Sequence, residues 1–301
     1  MGFDLKKWIN LILVDVYIIK KKTKLVFEKV FSKNIKNKPL SYEPYIKGTI
    51  KHKLDELGIK RGDTLFMHSG LSNLGFIKCS AKIVIDEIVD HLGPNGELIV
   101  PTYQLQHTQE AYYSKPIEFP VNKTINWLGA IPRYASSPKS SGQYIYQYSH
   151  NCVQFRGVGA GQSSALIDDG DPWSEGGVFG YLEKTKAKIL LLGTDLDSVT
   201  YFHRIEKKLH EKFPIRIFKS KRIYIFGPIG SANSSRTIDC IIGKLSILRS
   251  MERFRDSIIK HKAMKETPIG QSSISVIELG LLEEVVLKKL QSKQTIYGKF
   301  L

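Results

Sequence analysis

Cysteine is scarce: only Cys79, Cys152 and Cys240 occur in 301 residues. Their spacing forms neither a paired disulfide framework nor a zinc-ligand set, so a reducing cytoplasm and no bound metal are expected. No run of about twenty apolar residues occurs, so no helical span of a bilayer is expected. A complete dinucleotide fingerprint is missing as well. In "GVGAG" (157–161) Gln162 occupies the place of the third glycine, and no apolar strand leads into the loop, which excludes the Rossmann reading. Internal repeats and low-complexity linkers are absent.

Basic charge, in contrast, is abundant and uneven. Residues 1–53 hold 13 Lys and Arg against 4 Asp and Glu, residues 54–203 hold 12 against 16, and residues 204–265 hold 16 against 5. Such a field favours anionic partners, although a solvated basic surface explains it equally well. The N-terminal 42 residues stand apart. A twelve-residue apolar run, Trp8–Ile19, lies between lysine clusters and has Asp15 inside it. It reads as a basic N-terminal extension (1–42) ahead of a domain spanning 43–301. The run does not sort onto one helical face, which favours a helix that covers the main domain or a partner subunit over one resting on a membrane. A weak membrane-surface contact by this extension and homo-oligomerisation both stay open.

From Tyr45 onward amphipathic helices alternate with buried strands. "IKGTIKHKLDELGIKRGD" is a helix stopped near Gly58, and "CSAKIVIDEIVDHLG" is a helix capped by Ser80. "TLFMHSGL", "GELIVPTY" and "KILLLGTD" read as strands, the last apolar enough to be buried on both faces. "FPIRIFKSKRIYIFGP" predicts two short strands, and "GKLSILRSMERFRDSIIKHKA" and "VIELGLLEEVVLKKLQ" predict helices. The fold class is therefore α/β, with a mixed, largely parallel central sheet flanked by helices.

Polar residues gather at three strand ends: "HSGLSNLG" (68–75), "PTYQ" (101–104) and "DLDSVTYFHRIE" (195–206). Small residues in the first of these let backbone N–H groups approach an anion, as they also would in an ordinary turn. His203 and Glu206 are three apart on one helix face. A carboxylate beside an imidazole fixes its tautomer and suits it to general-base work. A buried packing histidine, or half of a metal site, gives the same pattern, and the residues alone leave these open.

Four stretches in register, "MHSGLSNLGF", "GPNGELIVPTY", "WLGAIPRY" and "ILLLGTDLDSVTYFHRIE", resemble the aminoglycoside 3-N-acetyltransferase family over about residues 43–301. The resemblance implies the α/β fold of that family and an enzyme that is an acetyl-CoA-dependent N-acetyltransferase, with acetyl-CoA as cosubstrate and no metal. It implies His203 as general base, Glu206 as its support, and Asp197 and Thr200 beside it. It places His68, Ser69, Leu71, Ser72 and Gly75 in the loop holding the coenzyme, with Thr102 and Tyr103 at the transfer site.

This chain departs from the family pattern at Gly70, where a second serine is usual, and at Arg133, where a glutamate is usual. A histidine-containing stretch is replaced by "YQYSHNC", in which His150 is the candidate substitute. The last two departures fall where the acceptor would sit. The acidic loop with Asp168, Asp169, Asp171 and Glu175 suits a polycationic aminoglycoside. The basic whole and Arg133 suit instead a nucleotide-linked amino sugar for surface-glycan synthesis, which is the expected small-molecule acceptor, with the antibiotic as alternative. No cysteine lies in a matching stretch, so direct transfer in a ternary complex is expected. A non-catalytic basic module binding nucleic acid or membrane is a remote third reading, since no nucleic-acid motif is recognisable.

Overall fold

The computed structural model describes residues 5–31, 43–102, 108–114, 117–118, 128–137, 143–146, 153–156, 171–226 and 234–301. The alternation read from the sequence becomes a seven-stranded sheet with helices on both faces. Its strands are β1 Thr64–Ser69, β2 Glu97–Pro101, β3 Gln143–Tyr146, β4 Val153–Arg156 and β5 Lys188–Leu192. Two more, β8 Met264–Ile269 and β9 Ser272–Glu278, follow a separate hairpin made of β6 Phe218–Phe226 and β7 Ser234–Ile241. Across the sheet the order is β8-β9-β5-β1-β2-β4-β3.

β1 pairs parallel with both β2 and β5. The outer pairs, β9 with β5, β8 with β9, β4 with β2 and β3 with β4, are antiparallel. The sheet is mixed as expected, but parallel pairing is confined to its three inner strands. The turn at Gly270–Gln271 joins β8 to β9 directly, and so short a connection permits only an antiparallel neighbour.

The strand period of two divides the core into two layers. Leu65, Met67, Leu98, Val100, Leu190 and Leu192 face helices α2 Thr49–Leu57 and α3 Ala81–Leu92. Phe66, Ile99, Ile189 and Leu191 face the other side, with Trp173, Phe179, Phe202 and Ile205. That double burial is why the strand is apolar from Ile189 to Leu192. α2 ends at Gly58, whose φ of 78° is a left-handed turn that glycine takes without strain. α3 begins at Ser80, whose Oγ accepts from Ile83 N at 3.2 Å.

On the second face lie α5 Val178–Lys184, α6 Phe202–Lys208 and α8 Leu279–Gln291. Two expectations need correction here. One nine-residue strand, β6, replaces the two short strands expected over 213–228, and residues 213–217 are not strand. The helix expected over 243–263 is broken into 3₁₀ turns at Gly243–Ile247 and Met251–Phe254, followed by α7 Arg255–Lys260. Ser250 is extended there (φ −157°, ψ 112°), and its N–H donates to Ile296 O at 2.9 Å. Tertiary hydrogen bonds have overridden a helical period.

The N-terminal helix α1 Leu5–Phe31 packs on this second face. Val14 is buried in its core layer. Asn10 Nδ2 donates to Pro214 O at 2.9 Å, and Asn10 Oδ1 accepts from Leu301 N at 3.1 Å. The Tyr17 hydroxyl donates to Lys299 O at 2.8 Å. No helix among the described residues is long and apolar enough to cross a membrane.

Candidate active site

β1 and β5 run parallel and end side by side, with Ser69 opposite Leu192. The period of two puts His68 on the same face as Phe66, the layer to which α6 also belongs. α6 is short, and its first five residues, Phe202 to Glu206, are all buried. His203 and Glu206 therefore face inward from one turn. His203 Nδ1 is 2.6 Å from Glu206 Oε2. A carboxylate only accepts, so Nδ1 carries the proton and Nε2 is left as the basic nitrogen. Burial lowers the His203 pKa, and the hydrogen bond and charge of Glu206 work against that lowering. The ring is thus neutral at physiological pH and ready to accept a proton.

An aromatic relay ties this pair to the strand ends. The His203 ring meets Trp173 edge-on at 5.4 Å, Trp173 stacks on Phe179 at 4.7 Å, Phe179 meets Phe66 at 5.9 Å, and Phe66 meets His68 at 4.8 Å. The Trp173 backbone is held at both ends: Arg204 Nη1 donates to its carbonyl at 2.5 Å, and its backbone N–H donates to Asp171 Oδ1 at 3.0 Å. Burial raises the Asp171 pKa, with that N–H bond opposing it.

Beyond β1 a cleft of about 190 Å³ is lined by Met67, His68, Ser69, Pro101, Pro132 and Ser198. Thr102 is buried at the end of β2. Two buried polar atoms, His68 Nε2 in this lining and Thr200 Oγ1 three residues before His203, have no hydrogen-bond partner among the described residues. A small polar ligand group entering the cleft would give His68 one.

The remaining expected residues are distributed as follows. Leu71 and Ser72 lie in the 3₁₀ turn Leu71–Leu74, and Gly75 closes that turn at φ 69°. Gly70, one of the departures from the family pattern, is packed against backbone: a Cβ there would lie 2.5 Å from Gly193 O. The Gly70 N–H donates to Leu192 O at 2.8 Å, and Asn73 Nδ2 donates to Gly193 O at 2.8 Å. The absence of a side chain lets the β1 and β5 loops touch.

Asp197 does not point its carboxylate at His203. Oδ1 accepts from Met251 N at 2.5 Å, which fixes the next 3₁₀ turn. Arg133 is exposed on the short helix α4 Ala130–Ala135. Tyr103 and His150, with Asp168 and Asp169 of the acidic loop, lie outside the described residues. Among the described residues no cluster of three or more His, Cys, Asp or Glu could hold a metal ion.

Three contributors carry no sequence signal that points to the site. Arg249 sits in a basic stretch that reads as solvated surface. It instead donates to Asp197 O at 2.7 Å and Val199 O at 2.9 Å, fixing the turn that leads into α6. Its positive charge also helps lower the pKa of both His68 and His203. Tyr297 lies past the end of α8 and is fully buried beside Glu206. Burial, followed by the Glu206 charge, raises its phenol pKa well above the ordinary value. Trp173 lies in a loop-rich stretch where no period marks it.

His68 should make stability depend on pH. Burial, with Arg249 adding to it, lowers its pKa to about 3. The unfolded chain, with a histidine pKa near 6.5, binds a proton that the folded state refuses. Stability is therefore complete above about pH 6.5 and falls as the pH drops toward 3, by about 4–5 kcal/mol in total. Replacing His68 with Gln should flatten that dependence in denaturant titrations; an unchanged slope between these pH values would show that His68 is solvated.

Comparisons with known proteins agree on one family of sequences and one fold. A model of the aminoglycoside 3-N-acetyltransferase family matches residues 158–291. An aminoglycoside N(3')-acetyltransferase-like protein, YokD, of Bacillus subtilis (strain 168) is 25% identical over 185 residues, covering 55% of this chain and 66% of its own. Aminoglycoside N(3)-acetyltransferase VIII of Streptomyces fradiae is 23% identical over 183 residues, again 55% of this chain and 62% of its own. The alignments thus span somewhat less than two thirds of the curated relatives. Among solved structures, aminoglycoside acetyltransferase AAC(3)-Xa superposes with a TM-score of 0.67 at 20% identity, covering 82% of this chain and 92% of that one. AAC-IIIb in binary complex with CoASH superposes at 0.66 and 16% identity, covering 83% and 98%. The fold is that of these enzymes.

Proposed function

We propose that the chain is a member of the aminoglycoside 3-N-acetyltransferase family, whose model matches residues 158–291, and that it transfers an acetyl group from acetyl-CoA to an amine of an aminoglycoside-type acceptor. The observation that carries this reading is the buried His203–Glu206 pair, 2.6 Å apart, on the sheet layer that also holds the end of β1. Acetyl-CoA supplies the reaction with an activated acyl group. Among this chain's residues, His68, Ser69 and Thr102 would meet the acetyl end; the partnerless His68 Nε2 fits a ligand group there.

An acceptor amine is protonated at neutral pH and cannot attack until it loses that proton. Neutral His203 accepts it at Nε2. The imidazolium that results keeps its Nδ1–H bond to Glu206, whose negative charge compensates the new positive one. The Arg249-fixed turn holds α6 in register, and Tyr297 lies close enough to Glu206 to feel its charge. The Ser69 hydroxyl and donors near Thr102 would hold the acyl oxygen as it gains charge. No cysteine lies in the stretches that carry the family motifs, so transfer runs directly from coenzyme to amine.

The comparisons favour the antibiotic over the nucleotide-linked sugar expected from net charge. Solved structural relatives include AAC(3)-IVa in complex with a gentamicin and AAC-VIa bound to sisomicin. Net charge misleads here for a physical reason. Among the described residues lining the cleft at His68 and Ser69 there is no cation. The basic surplus sits elsewhere, on α1 and on the segment after α6, so it does not create a phosphate site at the transfer centre.

Turnover with acetyl-CoA, followed by release of the coenzyme thiol, tests the reading. We expect acetylation of gentamicin, sisomicin or apramycin and none of nucleotide-linked amino sugars. Thiol release with nucleotide sugars alone would reverse the acceptor assignment; absence of release with amine acceptors of either class would remove the reading.

A further inference from the structure

The helix α1 has two apolar faces, and the fold uses one. Val14 is 2% exposed, and Leu13, Tyr17 and Ile18 pack against the same core layer. On the opposite side Ile12, Val16 and Ile19 are 42%, 38% and 65% exposed. Their spacing of four and three residues aligns them in one stripe. By the helical period, Lys20 and Lys22 lie on either flank of that stripe. This two-sided pattern is the reason the apolar run does not sort onto a single face in the sequence.

A second observation comes from the ground beside the stripe. A cleft of about 490 Å³ lies between α1 and the C-terminal segment, lined by Tyr17, Lys20, Lys21, Arg253, Tyr297 and Lys299. None of its four cations has an ion-pair partner among the described residues. Some basic residues elsewhere are paired, among them Lys188 with Asp63, Arg204 with Glu183 and Lys208 with Glu283. These four cations, without an ion-pair partner among the described residues, continue the basic surface from Lys20 on the flank of the stripe to the inner side of the helix. An apolar strip is thus bordered by positive charge, as an anionic and oily surface requires.

We propose that α1 seats this protein on an anionic membrane surface. The Ile12–Val16–Ile19 stripe enters the boundary between headgroups and acyl chains, and Lys20 and Lys22 on its flanks take lipid phosphates. The lysine stems lie along the interface with their ammonium groups in the headgroup layer. The helix lies on the membrane and does not cross it, in keeping with its charge: seven lysines against Asp15 and Glu28. A second copy of the chain is a poorer occupant. It would set lysines against lysines, and the one acid of the outer face, Asp15, is already paired with Lys244 at 3.0 Å.

The test uses the full chain and flotation with vesicles, either of phosphatidylcholine alone or containing roughly a third phosphatidylglycerol. We expect binding to the anionic vesicles only, weakened by salt. Ile12→Ser with Ile19→Ser should weaken it at least tenfold, and both sites are exposed enough for the fold to survive, which circular dichroism would check. Lys20→Glu should weaken it at least fivefold, the loss expected for removing one surface cation even before its replacement by an acid. Inorganic pyrophosphate binding without vesicle binding would overturn the proposal in favour of a soluble phosphate ligand. A dimer in light scattering that the Ile12→Ser, Ile19→Ser variant abolishes would overturn it in favour of a second copy. Anionic-vesicle binding that ignores the serine substitutions would also overturn it, because the stripe would then be doing nothing. Flotation does not depend on catalysis, so its failure leaves the acetyl-transfer reading to its own assay.

Discussion

Replacing His203 with Asn is expected to lower kcat by about two to four orders of magnitude while coenzyme A binding stays within a few-fold of the parent. The Asn amide nitrogen falls near the position of Nδ1 and can keep donating to Glu206, but nothing replaces Nε2, the atom that takes the amine proton. The more obvious Ala variant carries a second effect. It removes the 2.6 Å partner of a fully buried carboxylate, and breaking a buried pair in this way costs about 3–5 kcal/mol of stability. Asn separates chemistry from folding, and thermal denaturation of both variants would confirm the separation. Steady-state kinetics with a saturating acceptor, alongside coenzyme A titration, supply the test. A His203→Asn enzyme that turns over at the parent rate would remove His203 from the reaction.

Glu206→Gln should lower kcat on the order of a thousandfold, as expected when an imidazole loses the carboxylate that fixes its tautomer and stabilises its charged form. It should also move the pH profile, and the sign follows from the site. Burial lowers the His203 pKa, and the Glu206 hydrogen bond and charge raise it. Removing the charge leaves burial less opposed, so the His203 pKa falls. The acid limb of kcat/KM, which reports the base in the free enzyme, should shift to lower pH. A merely structural role would reduce the amount of folded enzyme and leave the limb where it was. Rescue by Glu206→Asp would be poor, because the shorter side chain retreats from Nδ1. An unchanged pH profile with a lowered rate would reassign Glu206 from tuning the base to holding α6 in place.

Much of the scaffold was legible because its signals are local. The left-handed stop at Gly58, the Ser80 cap and the doubly buried "KILLL" strand each depend on a few neighbouring residues, and each was found where the sequence put it. The i, i+3 pairing of His203 and Glu206 is local in the same sense: once residues 202–208 are helical, the two side chains must share a face. Non-local features were misread. The helical period over 243–263 gave way to turns because Asp197 Oδ1 takes the N–H of Met251 and Ile296 O takes that of Ser250. The acceptor expectation rested on net charge, which says how much positive charge a chain carries and nothing about which cleft receives it, and the comparisons back its antibiotic alternative better.

Periods, caps and spacings a few residues long were enough to establish the α/β alternation, the strand ends that carry polar residues, and the family motifs with their histidine and glutamate. Packing was needed for the rest. It made Arg249 pin the turn before α6 and set Tyr297 behind Glu206. It turned the Asp197 carboxylate to a neighbouring turn, and it left α1 covering the domain with one apolar face while exposing another. Each of those outcomes joins residues tens to hundreds of positions apart, and the energy that selects them appears only when the layers are packed and every buried donor must find its acceptor.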